Sequence, residues 1–177
     1  MKKLKTHELG RVSPEVFAEQ SKHNVVLVLD NVRSMHNVGS AFRTADAFAI
    51  KKIYLCGVTG TPPHRDINKT AIGAQDTVPW EHTKESVDCI ASLKASGYKI
   101  CIIEQTDESI SLQETTFQAD EKIAFVFGNE VFGVSDAVLP LADAAIEIPQ
   151  FGTKHSLNVS VSIGVVCWDY VSKVLLS

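Results

Sequence analysis

"VVLVLD", residues 25–30, is the most apolar run of the chain, and the stretch "NVGSAFRTADAF", residues 37–48, follows it. A continuous β-branched run predicts a strand that is buried on both faces, as in a parallel sheet. The second stretch predicts a helix over about residues 38–48, because Ala41, Phe42 and Ala45 share one side of a helical wheel. A buried strand followed by a helix is the first half of a βαβ unit, and this pair decides the fold class.

The alternation of β-branched runs with helical stretches continues to residue 152. It predicts an α/β fold, doubly wound, with a mainly parallel sheet that helices cover on both faces. Pro79 restricts the extended piece "DTVPWEH" to a sheet edge or a bend. Further strands are predicted at 51–57, 98–106, 122–130 and 144–152, helices at 84–97 and 135–143, and a loop at 58–70.

The segment "SLNVSVSIGVVCWDYV", residues 156–171, admits two interpretations. Residues 156–163 alternate polar and apolar side chains, which is the period of a strand. The continuation "GVVCWDYVSKVLL" is more typical of a terminal helix. The pattern alone leaves both structures open for this segment.

The composition is typical of a soluble globular protein, with 45% hydrophobic and 21% charged residues in a chain of 177. That length is usual for one domain. The start, "MKKLKTHELG", has no apolar core of a signal peptide, and no apolar run approaches the ~18 residues that span a bilayer. We therefore expect no membrane association and a cytoplasmic location.

Charge is distributed unevenly along the chain. The formal net charge is −4, yet residues 1–11 hold four Lys or Arg side chains against one Glu, a local charge of +3. The overall acidity argues mildly against a nucleic-acid binder, although a basic arm on an acidic body could still contact phosphates. A merely solubilising terminus explains the same charge. We divide the chain into a short basic arm, residues 1–23, and a single domain, residues 24–177.

The cysteine and histidine spacings give no sign of a metal site. Cys56, Cys89, Cys101 and Cys167 are far apart in sequence, and each lies in or beside an apolar stretch. They are expected to be reduced and buried, acting as small hydrophobic side chains. The six histidines show neither HxxxH nor HxH spacing. We expect no bound metal.

Polar residues follow the predicted strands, where a parallel α/β sheet binds its ligands. The dinucleotide fingerprint GxGxxG, the phosphate loop GxxxxGK[ST] and the hydrolase elbow GxSxG are all missing. This disfavours NAD, ATP and a serine hydrolase, and favours a site built from several loops. The polar groups at these strand ends include Asn37, Arg43, Glu104, Gln105, Gly128, Asn129, Glu130, Ser156 and Asn158.

Several of these side chains also have an ordinary structural explanation. Arg43 falls nearly opposite the apolar side of its helix, near Asp46, which fits a solvated face with a weak ion pair. Its planar guanidinium would equally fit a clamp for phosphate or carboxylate. Glu130 is compatible with a turn, and Ser156 and Asn158 with helix caps.

Three motifs stand at the ends of the predicted strands. "NVGSAFRTA", residues 37–45, has the form N-x-G-x-x-x-R-x-A, and "FGNEVFGVS", residues 127–135, has the form F-G-x-E-x-x-G-[LV]-S. In "IPQFGTKHSLNVS", residues 148–160, an Ile-Pro pair precedes G-x-x-x-S-L-N-V-S. Together they resemble the SpoU-type (TrmH-like) branch of the SPOUT RNA methyltransferases. The resemblance covers about residues 24–175.

The resemblance implies a doubly wound α/β domain whose C-terminal part forms a deep trefoil knot, which general rules of chain connection do not predict. In that family the SLNVS segment begins the last helix. The family also works as homodimers with the knots packed together, which would bring Arg43 near the partner's cofactor site.

The reaction implied by the resemblance moves a methyl group from S-adenosylmethionine to a ribose 2′-hydroxyl of structured RNA. Arg43 would activate or position that hydroxyl, and we rank positioning first because a guanidinium stays protonated at neutral pH and is a poor base. Asn37 would orient Arg43 or the ribose, and hydrogen bonds from Glu130 and Asn158 would hold Arg43 and the cofactor loops. The adenosine part would be held by Gln105, Gly128, Ile148, Ser156 and Leu157.

Two questions about the function stay open at this point. Transfer RNA is favoured over ribosomal RNA as the target, because short knotted enzymes often act on it. The alternative is a non-catalytic RNA-binding or ribosome-assembly protein with the same fold. The presence of Arg43, Glu130 and Asn158 argues against that alternative, since a binder needs no methyl-donor site.

Overall fold

The computed structural model describes residues 1–176 apart from the Thr6 side chain, so Ser177, the last residue of the predicted domain, lies outside the described residues. The strands are β1 His23–Asp30, β2 Ile50–Cys56, β3 Trp80–Thr83, β4 Lys99–Ile103, β5 Ile110–Ser111, β6 Ile123–Phe127 and β7 Ala144–Glu147. The helices are α1 Pro14–Glu19, α2 Met35–Ala47, α3 Arg65–Ala71, α4 Ala74–Thr77, α5 Ser86–Ala95 and α6 Val159–Leu175.

These strands form one sheet in the order β3-β2-β1-β6-β4-β7-β5, and the pairings among residues 1–176 that build it are all parallel. In the centre, Leu27 of β1 pairs with Ile53 of β2 on one side and with Phe125 of β6 on the other. Helices α2 and α6 pack on one face and α5 on the other. The predicted α/β class, with a mainly parallel sheet covered on both faces, is confirmed.

Burial on both faces explains the unbroken apolar run in β1. Val25, Leu27 and Leu29 belong to the core under α2 and α6, whereas Val26 and Val28 belong to the core under α5. All five side chains are almost completely buried. A strand with one solvated face would alternate polar and apolar residues instead.

Helix α2 begins at Met35, three residues before the predicted start. The Ser34 hydroxyl accepts a hydrogen bond from the Asn37 backbone N–H at 3.3 Å and so caps the helix. One residue of α2 lies unusually close to α3: a Cβ added to Gly39 would lie 2.1 Å from Thr70 Oγ1 and 2.3 Å from the Ile67 carbonyl oxygen. The motif glycine therefore allows the two helices to touch.

The substitution Gly39→Ala is expected to lower the free energy of unfolding by about 2–3 kcal/mol, because the added methyl group meets backbone that cannot rotate away. Urea denaturation followed by circular dichroism measures this loss. Ser40→Ala, at the next and half-buried position of α2, is the matched control and should stay within about 0.5 kcal/mol of the original protein. Equal stability of the two variants would contradict the close helix contact.

The prediction of a loop at residues 58–70 was wrong in its second half, because α3 begins at Arg65. His64 caps this helix, and its Nδ1 accepts the Asp66 backbone N–H at 3.2 Å. The helix buries Ile67 and Ala71. So short a helix carries too little apolar periodicity to be recognised beside the neighbouring prolines.

The helix predicted at residues 135–143 was also wrong. The segment contains turns and one short 3₁₀ turn, Leu139–Leu141. Pro140 lies inside the predicted helix, where its ring would collide with the preceding turn and its nitrogen has no hydrogen to donate. The start of the segment is instead held by the sheet, because the Ser135 backbone N–H donates to Asp30 Oδ2 at the end of β1 at 2.7 Å.

The C-terminal segment is helical from Val159, as the resemblance implied. Asn158 caps α6, and its Oδ1 accepts the Ser160 backbone N–H at 2.9 Å. The buried positions Val159, Ile163, Val166, Cys167, Tyr170 and Val171 have helical spacing. The strand-like alternation arose because the apolar Val161 is half exposed on another side of the same helix.

All four cysteines are free and buried, as predicted. Burial raises the pKa of the Cys101 and Cys167 thiols to about 12. Among residues 1–176, no cluster of three or more His, Cys, Asp or Glu side chains has a geometry suited to a metal ion. No helix in the same range is long and apolar enough to span a bilayer.

Candidate active site

A cavity of about 650 Å³ opens where β4, β6 and β7 end. The loops after these strands line it together with the start of α6, and Ile103, Phe127 and Ile146 line it from the strand ends. The arrangement follows from the parallel sheet, because all carboxyl ends meet at one edge. The predicted site residues that line the cavity are Gln105, Gly128, Glu130, Ile148, Ser156, Leu157 and Asn158.

Glu104 and Gln105, which follow β4, connect the loops after β4, β6 and β7 to one another. Glu104 accepts hydrogen bonds from the backbone N–H of Gln105 at 2.9 Å and of Val134 at 3.0 Å, which ties the β4 loop to the β6 loop. Gln105 Nε2 donates to the His155 carbonyl at 3.1 Å, which ties the β4 loop to the segment after β7. The cavity walls are therefore held by hydrogen bonds between distant parts of the sequence.

Glycines permit the tight fold of the loop after β6. Asn129 and Gly133 exchange two backbone hydrogen bonds, at 2.9 and 3.0 Å. A Cβ on Gly128 would lie 2.0 Å from the Gly133 carbonyl carbon, and one on Gly133 would lie 2.1 Å from Glu104 Oε2. Gly133 also has a φ of +70°, which favours glycine.

Three motif side chains form one hydrogen-bonded chain beside the cavity. Asn37 Nδ2 donates to Glu130 Oε1 at 3.0 Å, and Asn158 Nδ2 donates to Asn37 Oδ1 at 3.2 Å. The Glu130 carboxylate also accepts the backbone N–H groups of Arg33 and Ser34, both at 3.0 Å. The first turn of α2, the β6 loop and the cap of α6 are thus fixed against one another.

The Glu130 carboxylate is held in its charged form. Partial burial works to raise its pKa, but the hydrogen bonds from the Arg33 and Ser34 backbones and from Asn37 outweigh that effect and lower the pKa. These two N–H groups lie where α2 begins, and the positive end of the helix dipole also favours a carboxylate there. Glu130 is therefore an acceptor that organises the site.

The lining of the cavity suits a cation that carries an apolar ring. The carboxylates of Glu104, Glu130, Asp136 and Glu147 line it, and among the described residues that line it none is Lys or Arg. Ile148 and Leu157 contribute apolar surface from opposite ends of the segment after β7. S-adenosylmethionine, with a positive sulfonium and a purine, fits this set of residues, whereas a phosphate would be repelled.

Arg43 lies elsewhere on the single chain. It is exposed on α2 and does not line the cavity, and its guanidinium makes no hydrogen bond or ion pair with any of residues 1–176. The predicted hydrogen bonds from Glu130 and Asn158 to Arg43 are replaced by bonds to Asn37. Asp46 does not pair with Arg43 either, and it accepts a hydrogen bond from the Thr77 hydroxyl at 2.7 Å.

Comparison with known proteins identifies the family of the chain. The sequence model of the SpoU rRNA Methylase family matches residues 24–168. The chain belongs to the SpoU family. The match begins one residue after β1 starts and includes every residue that was predicted for the site.

Two curated relatives show how far the likeness extends. The chain is 31% identical over 152 residues to the 23S rRNA (guanosine-2′-O-)-methyltransferase RlmB of Neisseria meningitidis, covering 86% of this chain and 60% of that one. It is 30% identical over 162 residues to the tRNA (guanosine(18)-2′-O)-methyltransferase of Thermus thermophilus, covering 92% and 81%. This SpoU-family chain therefore spans less than two thirds of the length of the first relative.

A solved structure agrees with the fold. The AdoMet-bound rRNA methyltransferase from Sinorhizobium meliloti superimposes with a TM-score of 0.81 at 25% identity, over 94% of this chain and 62% of that one. The Aquifex aeolicus TrmH/SpoU tRNA modifying enzyme superimposes with a TM-score of 0.78 at 26% identity, over 88% and 79%. The SpoU-type resemblance is thereby confirmed.

Sequence reasoning missed the role of Asp30. This fully buried carboxylate ends β1 and accepts hydrogen bonds from the Ser135 backbone N–H, from Asn31 Nδ2 at 2.9 Å and from the Ser86 hydroxyl. It anchors the end of the second SpoU motif to the central strand. The available signal was its position, because a charged residue at the end of the most apolar run needs hydrogen-bond partners when it is buried.

Proposed function

We propose that this protein transfers a methyl group from S-adenosylmethionine to a ribose 2′-hydroxyl of tRNA or rRNA. The observation that carries the proposal is the cavity itself, in which the second and third family motifs meet and are bonded to the first through Asn37. The names of the two curated relatives, both guanosine 2′-O-methyltransferases, support the same reaction class. The preference for transfer RNA over ribosomal RNA is still a prediction, and so is the cytoplasmic location.

The residues that line the cavity fit the methyl donor, which when bound supplies an electrophilic methyl group on a positive sulfur. Ile148 and Leu157 would contact the apolar faces of the adenine. Backbone groups around Gln105, Gly128 and Ser156 would hydrogen-bond the adenosine part. The carboxylates that line the cavity would favour the positive charges of the ligand, while their own hydrogen bonds keep the loops in place.

We assign Arg43 the task of holding the RNA rather than removing a proton. A guanidinium is protonated at neutral pH, which makes it a good phosphate clamp and a poor base. Holding the nucleotide so that its hydroxyl oxygen meets the methyl group in line is worth several kcal/mol, on the order of 7 at best. Because Arg43 does not line the cavity of its own chain, we infer that a second copy supplies one of the two parts.

We therefore propose a homodimer that forms through α6. Val161, Val165 and Trp168 form an exposed apolar stripe at i, i+4 and i+7 on that helix. The stripe begins beside the cavity, which Ser162 of α6 also lines, and at its other end the Trp168 ring lies 6.3 Å from the ring of Phe48. A twofold contact along this stripe would bring the cavity of one subunit toward Arg43 of the other.

The variant Trp168→Glu is expected to be monomeric, because it removes the largest side chain of the stripe and a charge buried in an apolar contact is costly to desolvate. Light scattering after size-exclusion chromatography measures the mass directly. Val87→Glu, at an exposed apolar position of α5 on the other face of the sheet, is the control and should leave the dimer intact. A Trp168→Glu protein that is still dimeric would rule out this interface.

We further propose the trefoil knot that the family implies. The chain between β7 and α6 passes beside the loops after β4 and β6, as the bond from Gln105 to His155 indicates. It then continues into α6, which packs against α2, the helix that connects β1 and β2. The chain thus crosses the strand ends from β7 to the β1 side of the sheet, which supports threading through the earlier loops.

The proposed activity is tested by tritiated methyl transfer onto total RNA from a strain that lacks this protein, with mapping of the modified nucleotide. We expect one 2′-O-methyl site in either the tRNA or the rRNA fraction. Absence of transfer to any RNA fraction, with RNA binding retained, would favour the non-catalytic RNA-binding alternative. Methylation of a base nitrogen or carbon would contradict the proposed reaction.

A further inference from the structure

A second cleft, of about 770 Å³, separates the N-terminal segment from α2, which carries the first motif, and from α3 and α4. Residues 10–20 form one wall, and the last turns of α2 with the junction of α3 and α4 form the other. Helix α1 of the N-terminal wall packs against α4, and its Phe17 is buried beneath the ammonium group of Lys22. The basic arm predicted from the sequence therefore lies against the domain at this point.

The cleft carries an excess of unpaired positive charge. Arg11 and Arg43 both line it and both are exposed, and within residues 1–176 neither guanidinium forms an ion pair or a hydrogen bond. Asp46 is the acidic residue among the described residues that line the cleft, and the Thr77 hydroxyl already occupies its Oδ2. Two free guanidiniums beside one engaged carboxylate favour an anion such as a phosphate diester.

The apolar side chain of Ile72 lines the same cleft, and the backbone of this residue is strained. Ile72 ends α3 with φ 51° and ψ 47°, in the left-handed region, and 67% of its surface is exposed. A β-branched residue in this region is a genuine outlier, and such strain persists where the surrounding structure imposes it, often at ligand sites. Val12 and Pro14 add apolar surface on the opposite wall.

We propose that this cleft binds the RNA strand next to the methylated nucleotide, with Arg11 and Arg43 on its phosphates and Ile72 against a neighbouring ribose or base. The inference rests on the proposed function, because it extends the RNA path from Arg43, the residue assigned to hold the target. It makes Arg11 a positioning residue. The occupant is RNA rather than a partner protein because the cleft combines diester-binding charge with an apolar surface suited to a base.

The first test is fluorescence anisotropy with end-labelled bulk tRNA between 50 and 200 mM salt, on the full-length protein. Arg11→Ala is expected to weaken binding about 3- to 10-fold and to reduce the slope of log Kd against log salt by about 1. Arg11→Lys should keep the slope and lose part of the affinity. Lys84→Ala, an exposed cation before α5, is the control and should match the unchanged protein.

The second test separates the apolar contact from the charge. Ile72→Gly relieves the left-handed strain, so its melting temperature should be unchanged or higher, while RNA binding weakens with an unaltered salt slope. In methyl-transfer kinetics, Arg11→Ala should raise the KM for RNA with little change in kcat. A slope and a KM for Arg11→Ala equal to those of Lys84→Ala would overturn the proposed cleft.

These readouts also distinguish failure of the cleft from failure of the activity. A protein whose tRNA binding depends on Arg11 but which transfers no methyl group would refute the proposed reaction and leave the cleft standing. A protein that methylates RNA with identical kinetics in the Arg11→Ala and unchanged forms would refute the cleft and leave the reaction standing.

Discussion

Arg43→Ala is expected to reduce methyl transfer at least about 100-fold, equivalent to ~2.7 kcal/mol of transition-state stabilisation. The side chain has no partner within residues 1–176, so its removal should change the free energy of unfolding by no more than about 0.5 kcal/mol. Binding of S-adenosylmethionine should also be preserved, because Arg43 does not line the cavity of its own chain. Single-turnover transfer onto RNA measures the loss in rate.

The control for this prediction is Arg43→Lys, which keeps the charge and removes the planar fork of donors. If the guanidinium positions a phosphate, the lysine variant should recover part of the rate, and its pH profile should resemble that of the original protein. If Arg43 acted instead as a base with a strongly lowered pKa, lysine would shift the pH profile. Full activity of Arg43→Ala would remove the role assigned to this residue.

Glu130→Ala is expected to give the second large effect, a loss of transfer of about 10-fold or more. The substitution leaves the backbone N–H groups of Arg33 and Ser34 and the Asn37 amide without their common acceptor. Because the carboxylate is exposed to solvent, the cost in stability should be only about 1 kcal/mol. Glu130→Gln retains one acceptor oxygen and should therefore lose less methyl-transfer activity and less stability than Glu130→Ala. Equal transfer by Glu130→Ala and the unchanged protein would contradict the organising role of the network.

The same carboxylate predicts a pH dependence of stability. The pKa of Glu130 is lower in the folded protein than its ordinary value of 4.5, so its contribution is fully present above that value. The contribution should disappear as the pH falls below 4.5 and through the lowered folded pKa. Urea titrations of the original protein and Glu130→Gln should therefore converge in acid. A difference in stability that is constant from neutral pH into acid would contradict the assignment.

Pattern reasoning was sufficient for the central part of the fold. The run at 25–30 is apolar on both faces because β1 lies between two cores, and no loop or solvated strand would keep that pattern. Prediction from the sequence pattern failed where a helix is short or interrupted. Helix α3 buries Ile67 and Ala71, and Pro140 stops the helix that the composition around it favoured.

The candidate site was only partly readable from residue types. Strand ends located Gln105, Gly128 and Glu130, because a parallel sheet gathers its carboxyl ends. In the segment after β7 the strand-end rule indicated Ser156 and Asn158, and the family motif added Ile148 and Leu157. Local patterns do not show that residues 148–158 fold back over the β4 loop. The surroundings of Arg43 could not be predicted, because they depend on contacts between α2, α4 and the N-terminal segment.

The proposed methyl-donor site is tested most directly by calorimetric titration of S-adenosylmethionine into the unchanged protein and into Leu157→Asp. We expect saturable binding to the unchanged protein with a Kd below about 1 mM, or ~4 kcal/mol, and at least about 10-fold weaker binding to the variant. Val87→Asp, on the far face of the sheet, should bind like the unchanged protein. Absence of binding to the unchanged protein at millimolar ligand would contradict the claim that the three loops form a methyl-donor site.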